Sequence, residues 1–81
     1  MKLILVSPFS HKELEAAWIE LNTPTGNLMI LPEHAPTIVS LSPDQTLTYC
    51  LKSGKKETIM VHRGIAEIGR HSATIIVDGA L

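Results

Sequence analysis

The residues of this chain whose types could do chemistry are four histidines, one cysteine, a short Ser-Gly-Lys-Lys run and a few neighbouring carboxylates. His11, His34, His62 and His71 could ligate a metal through neutral imidazole. Their spacing fits no zinc signature, and the single Cys50 offers no thiolate pair. Ser53-Gly54-Lys55-Lys56 resembles part of a phosphate loop. A Walker motif needs an earlier glycine, a Ser or Thr after the lysine and a following helix, and none of these is found here. A solvated hairpin tip accounts for the run. A nucleophile would need a base and an orienting acid within reach. Cys50 stands mid-strand in an apolar segment with no cation beside it in sequence, which suits a buried structural thiol. Glu13 with Glu15, or Glu57 with Glu67, could pair as acid and base, but nothing next to them in sequence would raise a pKa. No catalytic residue, no cofactor-binding residue and no metal site is therefore assigned.

The elements that would position any site follow a period of two, with frequent β-branched residues. Lys2 to Val6 is a first strand, ended by Pro8. Glu13 to Ala17 holds strong helix formers, but the stretch is too short for a stable helix and leads into a strand. There Ala17, Ile19 and Leu21 alternate with Trp18, Glu20 and Asn22, which places Trp18 outward. Thr23 to Asn27 is turn chemistry, Leu28 to Leu31 a short strand, and Pro32 to Pro36 a loop. Strands follow at Thr37 to Leu41, Thr46 to Lys52, Glu57 to His62, Gly64 to Ile68 and Ala73 to Val77. Between the second and third of these, Ser53-Gly54-Lys55 makes a tight hairpin. Turn signals every 8–12 residues or so indicate one all-β domain over residues 1–81, a sandwich or barrel.

Composition narrows the function classes. Seven Lys and Arg against eight Asp and Glu give a net charge of −1, which removes the electrostatic footprint of a nucleic-acid binder. At 44% hydrophobic and 19% charged, the chain is too apolar to be disordered. No apolar run approaches the roughly 20 residues of a membrane-spanning helix. The opening Met1-Lys2-Leu3-Ile4-Leu5-Val6 stops short of a signal-peptide core. A lone cysteine suits a reducing compartment. The expectation is a small domain whose function is to bind.

Two features point to where it binds. The segment from Pro24 through Pro36 frames the apolar run Leu28-Met29-Ile30-Leu31 with three prolines, one glycine and one histidine. Such a stiff segment presents a fixed shape and limits the entropy lost on binding, although a plain sandwich corner has the same composition. Trp18, if outward, is a typical interface residue, whereas a one-residue slip in register would put it in the core.

These residues also carry a resemblance. Gly26-Asn27-Leu28-Met29-Ile30-Leu31-Pro32-Glu33-His34-Ala35-Pro36 resembles the Gly-x-x-Gly-Ile-Leu-Pro-Gly-His-Ala-Pro stretch of the ATP synthase epsilon subunit family. Val61-His62-Arg63-Gly64-Ile65-Ala66-Glu67-Ile68 is similar to its Val-Ser-Gly-Gly-Phe-x-Glu-Val segment, and Ala73-Thr74-Ile75-Ile76-Val77-Asp78 to its Val-Thr-Val-Leu-Ala-Asp ending. The opening Leu3 to Pro8 resembles the family's first strand and corner. The resemblance implies a flattened β-sandwich of roughly 8–10 short strands. It implies a non-catalytic rotor subunit of the central stalk, binding the gamma subunit and the c-ring to couple ion translocation to ATP synthesis or hydrolysis. That subunit is peripheral, on the cytoplasmic face of a bacterial inner membrane, and needs no cofactor. By matched position His34 and Ser7 would face gamma, with Trp18 added as the outward aromatic. Gly26, Asn27 and Leu28 would face the c-ring.

Departures from the family pattern sharpen these expectations. Asn27 stands where the family often has an acid. Met29, Glu33 and Arg63 replace glycines, so a φ > 0 requirement at any of them would strain the backbone. Family members continue as a two-helix C-terminal domain that carries an inhibitory state and, in some, an ATP site. If Leu81 is the natural end, those features are absent. The competing readings are a free-standing β-sandwich adaptor unrelated to the synthase and, more distantly, a small hydrolase or metal enzyme.

Overall fold

Alternation of apolar and polar residues becomes strand wherever a neighbour supplies the other half of the ladder. The computed structural model describes residues 1–78, in which the chain forms eight strands. They are β1 (Lys2–Ser7), β2 (Ser10–Thr23), β3 (Gly26–Ile30), β4 (Thr37–Ser40), β5 (Gln45–Leu51), β6 (Lys56–Val61), β7 (Arg63–Ile68) and β8 (Ser72–Asp78). The expectation attached to Leu81 lies outside the described residues. No helix among the described residues is long and apolar enough to cross a membrane.

The strands run in the order β4-β7-β8-β1-β2-β5-β6, with β3 on the other edge of β2. All pairings are antiparallel except β1 with β8. The ribbon curls into two layers, because β2 serves both. Its first half pairs with β1 through the register Ser7↔Ser10 to Lys2↔Glu15, and its second half pairs with β3 and β5. The first sheet is thus β4-β7-β8-β1-β2 and the second β3-β2-β5-β6. The body measures 26 × 26 × 18 Å, the flattened sandwich expected.

Where β2 passes from one layer to the other, the register shifts between Ala16 and Trp18. β2 corrects the sequence reading at two points. The strand begins at Ser10, because pairing with β1 recruits Glu13, Leu14 and Glu15 despite their helix propensity. The bulge also adds one residue to the alternation, so Ala16 is fully buried while Ala17 is only half-buried. Trp18 keeps its outward position, opposite Cys50. A third correction falls on the following turn. Thr23 pairs directly with Gly26, which leaves Pro24 and Thr25 as a two-residue loop and puts Asn27 inside β3. Gly26 takes φ 132, and the Thr23 hydroxyl closes the loop on the Gly26 carbonyl at 2.8 Å.

The core between the layers is aliphatic apart from Tyr49. Leu3, Leu5, Ile75 and Ile68 from the first sheet meet Ile19, Leu21, Ile30, Leu47 and Tyr49 from the second, all at 2% exposure or less. Each such side chain contributes roughly 1.5–3 kcal/mol by leaving water. This burial fixes which face of each strand is inward, and so which residues remain outside.

Candidate functional site

The pairings of the first sheet set its outer face. Arg63 lies opposite Asp78, Ile65 opposite Ile76 and Glu67 opposite Thr74. Ser40 lies opposite Ile65 and Ile38 opposite Glu67, while Val6 stands beside Ile76 across the parallel pair. The result is an aliphatic stripe across four strands. Ile38, Ile65 and Ile76 are 67%, 44% and 52% exposed. At the end of the sheet where β1 terminates, the stripe runs into an open depression of about 660 Å³ lined by Ser7, Pro8, Ser40, Ile65, Ile76 and Val77, among others. Gly64 belongs to its wall. A Cβ there would stand 2.9 Å from Leu41 Cδ1 and 3.0 Å from the Ile76 carbonyl, so any larger residue would push the β7 start away from its neighbours. Phe9, the second residue of the two-residue Pro8-Phe9 turn, is 99% exposed and extends the apolar surface past the sheet end.

The second sheet's outer face largely satisfies its polar groups, and its two exposed apolar side chains, Met29 at 44% and Met60 at 54%, stand apart on the edge strands β3 and β6. Thr48 and Thr58 hydroxyls meet at 3.0 Å across β5 and β6. The Asn22 amide donates to the Thr46 carbonyl at 2.9 Å, and Asn27 donates to Asn22 Oδ1 at 3.1 Å. Lys56 Nζ sits 5.6 Å from the centroid of the half-buried Trp18 ring, and Cys50, opposite Trp18, is buried. At the hairpin end, the buried Tyr49 donates its hydroxyl to Glu57 Oε2 at 3.0 Å, and Lys55 approaches Glu57 Oε1 at 3.5 Å. Burial, then the neighbouring Glu57, pushes the Tyr49 hydroxyl above its ordinary value. The Tyr49 hydrogen bond, with help from Lys55 and Lys12, holds the Glu57 carboxyl below its own.

The connecting loops are tied by acid–histidine pairs. Glu33 adopts φ 69, so the departure from glycine there does meet a left-handed backbone, whereas Met29 and Arg63 do not take positive φ. Glu33 donates its N–H to the Arg70 carbonyl at 2.9 Å, and its carboxylate lies 3.3 Å from His71 Nδ1. Asp44, at φ 56, repeats the device: its N–H donates to the His62 carbonyl at 3.3 Å and its carboxylate meets His62 Nδ1 at 2.8 Å. His11 lies 3.8 Å from Glu13, and His34 Nδ1 is 2.7 Å from the Ala35 carbonyl. The histidines thus have separate partners, and no group of three or more metal-ligating side chains assembles among the described residues.

The three residues expected to face gamma do not share one surface. Ser7 ends β1, is 8% exposed, borders the depression and directs its hydroxyl to the Ser10 carbonyl at 3.5 Å. His34 is half-buried in the loop before β4, at the opposite end of the same sheet. Trp18 belongs to the other outer face. Gly26, Asn27 and Leu28 are contiguous on β3, the first two exposed and Leu28 half-buried against the core. The aliphatic stripe escaped the sequence reading. Its signal was the unbroken Ile75-Ile76-Val77, where alternation fails because both faces of β8 are apolar.

Comparison with known proteins follows the same outline. The family described as "ATP synthase, Delta/Epsilon chain, beta-sandwich domain" matches residues 1–81. An ATP synthase epsilon chain of Pediococcus pentosaceus is 33% identical over 66 residues, which is 82% of this chain and 46% of that protein. One of Lactiplantibacillus plantarum is 38% identical over 61 residues, 74% of this chain and 43% of the relative. The chain therefore spans about half the length of the curated relatives it matches. In fold, it superposes on a chain of the Euglena gracilis mitochondrial ATP synthase with a TM-score of 0.89 at 24% identity. That match covers 98% of this chain and 51% of the other. A chain of the Tetrahymena thermophila mitochondrial ATP synthase central stalk and c-ring gives 0.84 at 17% identity, covering 98% and 63%.

Proposed function

The chain belongs to the ATP synthase delta/epsilon β-sandwich family, and on that premise we propose that it acts as an epsilon subunit in the central stalk of an ATP synthase, binding rather than catalysing. The observation that carries this reading is the family match across all of residues 1–81, which favours it over a free-standing adaptor. The partner it takes in the stalk is a gamma subunit, and the surface it offers is the outer face of the first sheet. The Ser7–Pro8 corner and exposed Phe9 stand at one end of that face, and the His34 loop at the other. The aliphatic stripe between them gives the contact its driving force, since an exposed apolar patch rimmed by polar residues marks an interface. The hairpin carrying Gly26, Asn27 and Leu28 is the surface offered to the c-ring. An uncharged Asn27 makes that contact one of hydrogen bonds rather than ion pairs. Trp18, on the other outer face, has no contact in this reading. The subunit is peripheral, held at the cytoplasmic face of a bacterial inner membrane through the complex alone.

Gel filtration of the protein with its cognate gamma subunit tests this. A complex that survives the column is expected, and Phe9→Ala, which removes a side chain already in water, weakens it several-fold without altering thermal unfolding. Failure of the wild-type protein to co-elute sinks the stalk reading.

A further inference from the structure

The first sheet ends at β4, whose outer edge has no neighbouring strand among the described residues. Folded proteins ordinarily blunt such an edge with charge, proline or a bulge. The strand at the far end of the whole ribbon, β6, in the second sheet, carries Lys56 and Glu57. Thr37-Ile38-Val39-Ser40 is short and follows Pro36, but within its length it has no charge, proline or bulge; it is mostly β-branched, and Ile38 stands 67% exposed on it. The edge is also held in shape from both sides. Glu33 before it is bonded to Arg70, Leu41 after it donates to the Gly64 carbonyl at 2.9 Å, and Asp44 grips His62. A preformed edge loses little conformational freedom when something pairs with it.

The neighbouring strand supplies a charge without a counter-charge. Glu67 lies opposite Ile38 on one side and Thr74 on the other, exposed, on the face that carries Ile38, Ile65 and Ile76. Among the described residues it enters no ion pair, unlike Glu13, Glu15, Glu33, Asp44 and Glu57.

We propose that the free edge of β4 is a strand-docking site, filled by an extended, β-branched segment of the partner that carries one Lys or Arg opposite Ile38. Backbone pairing extends the sheet by one strand, the mode known as β-augmentation. The basic residue lays its aliphatic stem over Ile38 and sets its charged head beside Glu67, so one side chain covers the most exposed isoleucine and answers the lone carboxylate. The segment's next side chain on that face, two residues on, lies beside Ser40 and reaches toward Ile65. This rests on the stalk reading, with gamma as the source of the segment.

Hydrogen–deuterium exchange on the complex with gamma tests both levels. Binding by the wild-type protein with at least tenfold slower exchange in residues 37–40 is the expected result. Glu67→Lys, at an exposed position, weakens the complex at least tenfold with an unchanged melting temperature, and Glu67→Gln weakens it less. If gamma binds but residues 37–40 exchange as in the free protein, or Glu67→Lys binds as tightly as wild type, the docking site is wrong and the stalk reading stands. If gamma does not bind at all, both fall. Slower exchange of these residues with rising concentration of the protein alone would make a second copy the occupant and overturn the proposal.

Discussion

The two outer faces of this sandwich are built from the same kind of strand, share β2 and differ in what they leave undone. The second sheet closes Thr48 on Thr58 and Asn22 on the Thr46 carbonyl, lays Lys56 over Trp18, and exposes only the separated Met29 and Met60 as large apolar side chains among its described strand residues. The first sheet turns Ile38, Ile65 and Ile76 outward side by side, and nothing among the described residues covers them. Alternation requires only that one side of each strand be apolar. An apolar second side adds nothing to the isolated domain, and covering it is worth roughly 1.5–3 kcal/mol per isoleucine only when another surface arrives. The difference separates a face finished by folding from a face finished by binding.

The largest effect should come from reversing that difference. Ile65→Asp puts a charge at the centre of the stripe, opposite Ile76. It should weaken the gamma complex by about 100-fold, or ~2.7 kcal/mol, as for a hot-spot residue. Because the site is half in water, unfolding should shift by no more than about 0.5 kcal/mol. Thr58→Asp, the matching change on the second sheet, should alter binding less than about twofold. Titration of gamma into both variants by calorimetry decides the matter. If Thr58→Asp harms binding and Ile65→Asp does not, the faces have been assigned the wrong way round.

The next effect concerns the root of the finished face. Tyr49→Phe removes the hydroxyl that meets Glu57 and should cost about 1 kcal/mol, measurable by urea denaturation. The same bond sets a pH signature. Glu57 titrates lower in the fold than its ordinary 4.5, so its contribution is present above that value and is lost as pH falls through the folded one. Tyr49 titrates higher in the fold than its ordinary 10.0, so its contribution is intact below 10.0 and is lost as pH rises through the folded value. The phenylalanine variant should show a shallower acid decline and no tyrosine-linked alkaline decline. An identical pH profile in the variant would show that the pair does not couple the β5–β6 hairpin to stability.

What the sequence disclosed follows from how local each feature is. The strands of the second half were legible because Leu47, Tyr49 and Ile68 alternate within their own segments. The bulge at Ala16 to Trp18 was not, since it arises where one strand must leave β1 for β5, a choice set by partners far away in sequence. For the same reason the candidate face was hidden. Val6, Ile38, Ile65 and Ile76 come from four strands and become neighbours only through the parallel β1–β8 pair and the β4–β7–β8 ladder. Ser7 and His34 could be named from motif position, while the surface that connects them could not.

Loop strain gives a smaller effect. Glu33→Ala keeps the left-handed backbone and loses the His71 contact, so it should cost about 0.5–1 kcal/mol. Glu33→Gly loses the same contact but relieves the φ of 69, and should lie within about 0.5 kcal/mol of wild type. Equal losses in the two variants, by thermal melts, would mean that strain at Glu33 is negligible.

The smallest effect tests whether the second face is finished in the sense argued above. Lys56 lies over Trp18 at 5.6 Å on a wet surface, a geometry worth about 0.5 kcal/mol. Lys56→Ala removes both the charge and the stem that covers the ring. Lys56→Met keeps a stem of similar reach and removes the charge. If the ammonium is what stabilises the ring, both variants lose the same small amount, and the loss shrinks in salt. If covering the indole matters more, Met restores what Ala loses. In either case gamma binding should stay at the wild-type level, because a face whose polar groups and aromatic ring are already answered within the domain has little left to offer a partner. A drop in gamma affinity on Lys56→Ala with full retention on Lys56→Met would show that Trp18 is partly held for a partner after all, and would shift the boundary between the two faces to the β2 bulge.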